Sequence, residues 1–205
     1  MKEAEDRVLR IRIAELLDEG REIWDRFDVE VRQQSFHPFV AADYDRVLDA
    51  LLLLRRPGLR FLEWGSASGV ITIMADMLGC DAYGIELDAR LVAHARDLAE
   101  RFDSGATFVQ GSFLPTGYRY RTSTGDTRLG TIGEGPSGYL ELGLPLDEFD
   151  LVFGYPWSGE AAMMLDLMKA YGRRDALLML HGAEAGVELY RDGRCVPLPG
   201  SSAVG

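Results

Sequence analysis

The sequence predicts a single α/β domain with a mostly parallel central sheet, helices on both faces and a C-terminal β-hairpin. Three observations predict it. Short apolar runs at residues 59–63, 82–86, 107–110, 149–154 and 176–181 alternate with helical patterns, the mark of parallel strands joined by crossover helices. The first run passes directly into Gly65-Ser66-Ala67-Ser68-Gly69 and then into a helical run, which is how a βαβ unit with a close-approach turn begins. The tail from 187 to 198 alternates about Asp192-Gly193, a hairpin signal. A chain of 205 residues suits one domain with a full core.

Taken in order, the elements follow from local pattern. Between residues 3 and 27, Val8, Leu9, Ile11, Ile13, Leu16, Leu17, Ile23 and Trp24 recur at mostly helical spacing. This predicts one or two amphipathic helices, interrupted near Gly20. The stretch 33–40 contains Ser35-Phe36-His37-Pro38-Phe39, where the proline excludes a helix interior and biases His37 towards extended backbone, so it is read as a loop. A helix over 41–55 has Asp43 as its cap, an apolar face of Tyr44, Val47, Leu48, Leu51 and Leu52, and a stop before Pro57-Gly58. Strands at 59–63 and 82–86 flank a helix over 70–78. A helix over 89–102, a strand at 107–110, a strand at 149–154, a helix over 159–171 and a strand at 176–181 complete the alternation. Between 114 and 146 the periodicity gives way to glycine and aromatic residues over a length well beyond the usual connection of about 2–6 residues. That stretch is read as a lid or a β-ribbon insertion. The domain, 1–205, divides into a helical cap at 1–56, an α/β core at 57–186 carrying the 114–146 insertion, and a hairpin and tail at 187–205.

Composition sets the class. Apolar residues make up 47% and charged residues 27% of the chain, as in ordinary globular proteins. The longest apolar run, Leu51 to Leu54, is far below the roughly 20 residues of a membrane span. No secretory pattern opens the sequence, and a cytoplasmic location is expected. Cys80 and Cys195 have no metal-ligand spacing and read as plain thiols; no metal is expected. A formal charge of -11 repels phosphate backbones and argues against a nucleic-acid partner. Arg119, Arg121 and Arg128 with Tyr118 and Tyr120 form a local basic and aromatic patch, read as a solvated loop. The N-terminal helices serve either to cap the site or to form a homodimer; the pattern leaves both open.

The chemistry is concentrated in the first βαβ unit. Glu63 ends a strand, and the small residues Gly65 to Gly69 let the backbone approach a ligand closely. The second strand closes on Glu86, 21 positions after Gly65, against about 20 for an acid that binds ribose hydroxyls. A carboxylate suits a diol because it accepts two hydrogen bonds at once. The turn reads G-x-A-x-G, not the G-x-G-x-x-G of dinucleotide sites.

An acidic residue followed by this turn resembles the first motif of the class I S-adenosylmethionine-dependent methyltransferases. The resemblance extends through Val109-Gln110-Gly111-Ser112-Phe113 and Phe149-Asp150-Leu151-Val152-Phe153-Gly154-Tyr155-Pro156-Trp157, covering roughly residues 60–181. It implies a Rossmann-like methyltransferase fold and S-adenosylmethionine as the methyl donor. The implied donor-binding residues are Glu63, Trp64, Gly65, Ser66, Ala67, Gly69, Glu86, Leu87, Gly111, Ser112 and Phe113. Ala67 stands at the family's middle glycine, where alanine carries a steric cost if the turn demands positive φ. Ser112 stands where the family often has an aspartate facing the adenine amino group.

The run Tyr155-Pro156-Trp157-Ser158 is similar to the N-P-P-Y motif of amino-nitrogen methyltransferases, without its asparagine, which argues against a DNA-adenine or glutamine acceptor. The resemblance makes Tyr155, Pro156 and Trp157 the acceptor-binding candidates. Tyr155, His37 and His181 are the candidates for a proton acceptor, since each stands near the carboxyl end of a strand or in a loop able to reach it. His94, in mid-helix, is read as structural. The implied function is N- or O-methylation of a small molecule. The departures at Ala67, Ser112 and Tyr155 keep open a non-catalytic binding or scaffold domain, and a protein or RNA acceptor is the weaker enzymatic reading.

Overall fold

A computed structural model describes residues 2–33, 40–119, 135–156, 159–182 and 186–200. The chain opens with α1 (Lys2–Phe27), which runs into one π-helical turn (Asp28–Arg32), and continues with α2 (Tyr44–Leu54). Then come β1 (Arg60–Trp64), α3 (Val70–Met77), β2 (Asp81–Glu86), α4 (Ala89–Arg101) and β3 (Thr107–Gln110). A one-turn α5 (Tyr139–Leu142) and a 3-10 turn (Leu146–Glu148) precede β4 (Leu151–Gly154), α6 (Glu160–Tyr171), β5 (Leu177–Gly182), β6 (Gly186–Arg191) and β7 (Arg194–Val196).

These strands form one sheet in the order β3-β2-β1-β4-β5-β6-β7. The first five are parallel and the last two antiparallel, so the α/β class, the parallel sheet and the terminal hairpin hold as expected. Chain direction across the sheet reverses at β1, which has β2 on one side and β4 on the other; ligands bind open α/β sheets at such a switch point.

Two apolar layers cover the sheet. On one face Phe61, Leu151, Phe153 and Met179 pack under α1 to α4, with Leu16, Val47, Ile73 and Leu98 fully buried. On the other face Leu62, Trp64, Ile85, Val152, Leu178 and Leu180 pack under α5 and α6, chiefly against Met163, Met164 and Leu167. Strand alternation therefore decides which side chains share a face, a rule that carries over to the site. No helix among the described residues is long and apolar enough to cross a membrane.

Gly20 does not interrupt the first helix: α1 is continuous from Lys2 to Phe27, and a Cβ at position 20 would lie 2.9 Å from Val70 Cγ2 and 3.1 Å from Tyr44 Cε2. The glycine lets α1 sit close on α2 and α3, a packing gain that outweighs glycine's weak helix propensity. As for the insertion, its described flanks form no ribbon. Residues 136–138 return to β3 through a single parallel bridge, Ser112 to Ser137, and continue into α5. Residues 120–134, which include Tyr120, Arg121 and Arg128, lie outside the described residues. Tyr118 is anchored on α6, its hydroxyl donating to Asp166 at 2.8 Å, and its ring stands edge-on to Tyr171. It belongs to the packing of that flank.

At the opposite end of the sheet from the glycine turn, β4 starts two residues later than expected: Phe149 closes the 3-10 turn, and the Asp150 backbone bonds Arg60 and Leu177 at the edge of the strand. The Asp150 carboxylate accepts from the Arg60 backbone N–H at 2.9 Å, from Arg56 at 2.9 Å and from Arg173 at 2.6 Å. Burial alone would raise this carboxyl; the Arg60 N–H, Arg173 and Arg56 outweigh burial and hold it below the ordinary range.

Candidate functional site

The turn after β1 is built on backbone conformations that side chains resist. Gly65 has φ of 69°, Ala67 46° and Gly69 80°. A Cβ on Gly65 would meet nothing within 4 Å, so that side of the turn is open. A Cβ on Gly69 would lie 2.6 Å from Phe108 Cζ and 2.8 Å from Ala95 Cβ, so this glycine brings α3 close to β3 and α4. Gly65 and Ser66 donate to the Ile85 carbonyl at 2.9 and 3.0 Å, fixing the turn to the end of β2.

Glu86 completes that attachment. One carboxylate oxygen accepts from the Ala67 N–H at 2.9 Å and the other from the Asp88 N–H at 2.9 Å. The side chain is partly buried, and burial raises its carboxyl above the ordinary value against the lowering effect of these N–H donors. Gly84 makes room below: a Cβ there would lie 2.7 Å from Ser66 Oγ, a buried hydroxyl with no hydrogen-bond partner among the described residues.

Glu63 takes a different position. It is 4% exposed, and its Oε2 accepts from both the N–H and the hydroxyl of Thr72, at 3.0 and 2.5 Å. Gly69, the N-cap of α3, has no side chain to cap the helix; Glu63 supplies the missing acceptor from the preceding strand, where the helix N-terminus favours a negative charge. Burial pushes its carboxyl up to about 8, against the lowering by Thr72. Sequence reasoning missed Thr72, whose only signal was a hydroxyl in the first turn of a helix lacking a side-chain cap. It also missed Tyr44, buried beside Glu63, whose hydroxyl pairs with Ser68 in the turn.

The third-strand residues are drawn inward. Ser112 is 2% exposed, its hydroxyl accepts from Leu114 N–H at 3.1 Å, and its backbone pairs with Pro136 and Gly138. Gly111 allows that pairing, since a Cβ there would lie 2.7 Å from Gly138 Cα. Phe113 stacks on Trp64 at 5.3 Å, and Trp64 donates its indole N–H to the Tyr139 hydroxyl at 2.8 Å. Trp64, Ser112 and Phe113 thus form a rigid interior floor. Leu87 is half-buried at the end of β2, near Gly135.

On the other side of the switch point, Tyr155 and Pro156 follow β4 and are half-buried. Tyr155 meets His181 of β5 edge-to-face, with ring centroids 4.9 Å apart. His181 is 4% exposed, and burial holds its imidazole below the ordinary value. His94 is exposed on α4. His37 and Trp157 lie outside the described residues. The structure therefore groups Gly65, Ala67, Glu86 and Leu87 at one sheet end, with Tyr155 and His181 next along the same edge.

No family model matches the chain. It is 37% identical over 73 residues to the ribosomal protein L11 methyltransferase of Thermus thermophilus, covering 34% of this chain and 29% of that protein. A 36% identity over 63 residues relates it to the ribosomal protein L11 methyltransferase of Paraburkholderia xenovorans, covering 30% and 21%. The chain spans less than a third of the length of these curated relatives. Among solved structures, the RNA methyltransferase from Salinibacter ruber in complex with S-adenosyl-L-homocysteine aligns with a TM-score of 0.50 at 18% identity, over 78% of this chain and 94% of that one. At that identity the likeness is one of fold, and the fold is that of the Rossmann-like, class I S-adenosylmethionine-dependent methyltransferases.

Proposed function

We propose that the chain is an S-adenosylmethionine-dependent methyltransferase that methylates a nitrogen or oxygen of a small molecule. The observation that carries this reading is the coupling of the open turn at Gly65 to the Glu86 carboxylate at the sheet's switch point. A carboxylate offers about four acceptor positions. The N–H groups of Ala67, Asp88 and Leu87 draw on three, which leaves acceptor capacity for a ribose hydroxyl. The unpartnered Ser66 hydroxyl beneath the turn adds a polar group, and Leu87 an apolar wall.

S-adenosylmethionine supplies a methyl group already activated on a sulfonium. The protein's work is then alignment of the acceptor, which supplies much of the rate in an in-line displacement. The rigid floor of Trp64, Phe113 and Tyr139 supports that alignment from below.

A small acceptor is supported by a net charge of -11, which opposes nucleic acid. A protein acceptor is the second reading, favoured by the partial likeness to ribosomal protein L11 methyltransferases.

Calorimetry with S-adenosylhomocysteine tests the proposal. The native protein should bind it, and Glu86→Ala should weaken binding by about 1–3 kcal/mol. Absence of binding to the native protein would overturn the reading in favour of a scaffold role.

A further inference from the structure

We propose that His181 contacts the methyl acceptor, its imidazole accepting a hydrogen bond from, and then the proton of, the hydroxyl or amine N–H that is methylated. The inference rests on the methyltransferase reading above. It starts from an imbalance: both ring nitrogens of His181 are buried, and neither has a hydrogen-bond partner on another residue among the described residues. A buried polar group left unpaired costs stability, so its retention asks for a role.

Register places the ring where an acceptor would lie. Trp64, Gly154 and Leu180 pair in one row, and Gly65, Tyr155 and His181 each come one residue after it. These positions continue the face of Phe153 and Met179, since side chains alternate along a strand. Two strand spacings, roughly 10 Å, separate the open glycine from the histidine. Tyr155 stands between them, half-buried, with its ring 71° to the imidazole. Its displacement by an acceptor would uncover a ring nitrogen.

The surroundings favour a proton acceptor. Burial is the largest influence on the imidazole and favours its neutral form; Asp43, the N-cap of α2, raises its proton affinity and Arg46, in the first turn, lowers it. From β4 the neighbouring group is Tyr155, and β6 presents Val187 and Gly186 without charge. In the transfer, the acceptor oxygen or nitrogen bonds to the methyl carbon. The sulfur–carbon bond breaks with its electron pair retained by sulfur, giving S-adenosylhomocysteine. The acceptor's proton passes to the free imidazole nitrogen and from there to solvent. The acceptor class is therefore a hydroxyl or amine carrying a proton to lose, not a thioether or a tertiary amine.

The test uses the full chain loaded with S-adenosylhomocysteine and two small probes: ethylene glycol, which carries hydroxyl protons, and 1,2-dimethoxyethane, the ether without them. The chain has three histidines, so their ring signals can be followed singly by NMR. The His181 signals of the loaded protein should move as ethylene glycol is added and stay in place with 1,2-dimethoxyethane. Signals that move with neither probe, or equally with both, would overturn the assignment while leaving the donor site intact. His181→Ala should hold its affinity for S-adenosylhomocysteine within about twofold, since no hydrogen bond to the donor is lost; a larger loss in a folded variant would place the imidazole with the donor and overturn the proposal. Failure of the native protein to bind S-adenosylhomocysteine would remove the methyltransferase reading and this inference with it.

Discussion

Ala67 holds a conformation that suits glycine, and replacing it measures what the turn costs the protein. Its φ is 46°, where a side chain's Cβ crowds the following carbonyl at a cost of about 1–2 kcal/mol. Ala67→Gly removes that crowding. Against it stand the greater freedom of glycine in the unfolded chain, about 0.4–1 kcal/mol, and the loss of a half-buried methyl, about 0.4 kcal/mol. The balance favours glycine by about 0.5 kcal/mol. For a chain of this length the midpoint of thermal unfolding should rise by about 1–2 °C. The Ala67 N–H bond to Glu86 is a backbone contact and survives the change, so affinity for S-adenosylhomocysteine should hold or improve. Ala67→Val sharpens the comparison, since a β-branched residue is least at home at positive φ and should lose at least about 1 kcal/mol. Urea titration followed by tryptophan fluorescence reads all three proteins. A glycine variant less stable than the native protein by more than about 0.5 kcal/mol would refute the reasoning.

Other substitutions test the frame around the site. Gly20→Ala should destabilise by about 1–3 kcal/mol despite alanine's better helix propensity, because its Cβ would meet Val70 at 2.9 Å; a gain in urea midpoint would show that α1 does not sit as closely as described. Asp150→Asn should cost about 1–3 kcal/mol at neutral pH by weakening its bonds to Arg56 and Arg173. Because this carboxyl lies below its unfolded value of about 3.9, its contribution is present above that value and is lost as pH falls through the folded one; the deficit should shrink in acid unfolding below about pH 4. Glu63→Gln should have the opposite profile. With a folded value of about 8 against roughly 4.3 unfolded, the carboxyl's stabilising protonation is complete below the unfolded value and disappears as pH rises through the folded one, so the glutamine variant should gain on the native protein between about pH 5 and 8. Parallel urea curves for the two across that range would contradict this.

The sheet was legible because each strand carries its own signature. Residues 107–110 carry a short apolar centre, Phe108 and Val109, both buried, and Asp192-Gly193 forces the hairpin between β6 and β7. Asp43 caps α2 as its residue type suggests, accepting from Arg46 N–H. What stayed hidden depends on distance in the chain. Gly20 looks like a helix breaker until Val70, fifty residues on, is known to press against it. The pairing of Ser112 with Ser137 joins two polar segments with no periodicity. The surroundings of His181 come from Asp43 and Arg46, on an element with no sequence link to β5. The glycine turn, Glu86 and Leu87 were visible because spacing within one βαβ unit determines them.

Glu63 and Glu86 show why a motif alone does not assign roles. Both stand at the carboxyl end of a strand, both flank the same turn, and both have carboxyls raised by burial. Glu63 is enclosed, and Thr72 supplies its Oε2 with two donors, so its energetic weight lies in holding the start of α3 beside the turn. Glu86 binds the turn through one oxygen and the entry to α4 through the other while remaining partly open. Only the open carboxylate retains lone pairs in reach of a ligand. A helix anchored by one acid therefore presents its preceding loop to a second acid, and under the proposed function binding specificity would rest on that second position. The fixed geometry of the first holds the loop in place, which under the proposed function is how a buried acid would contribute to affinity.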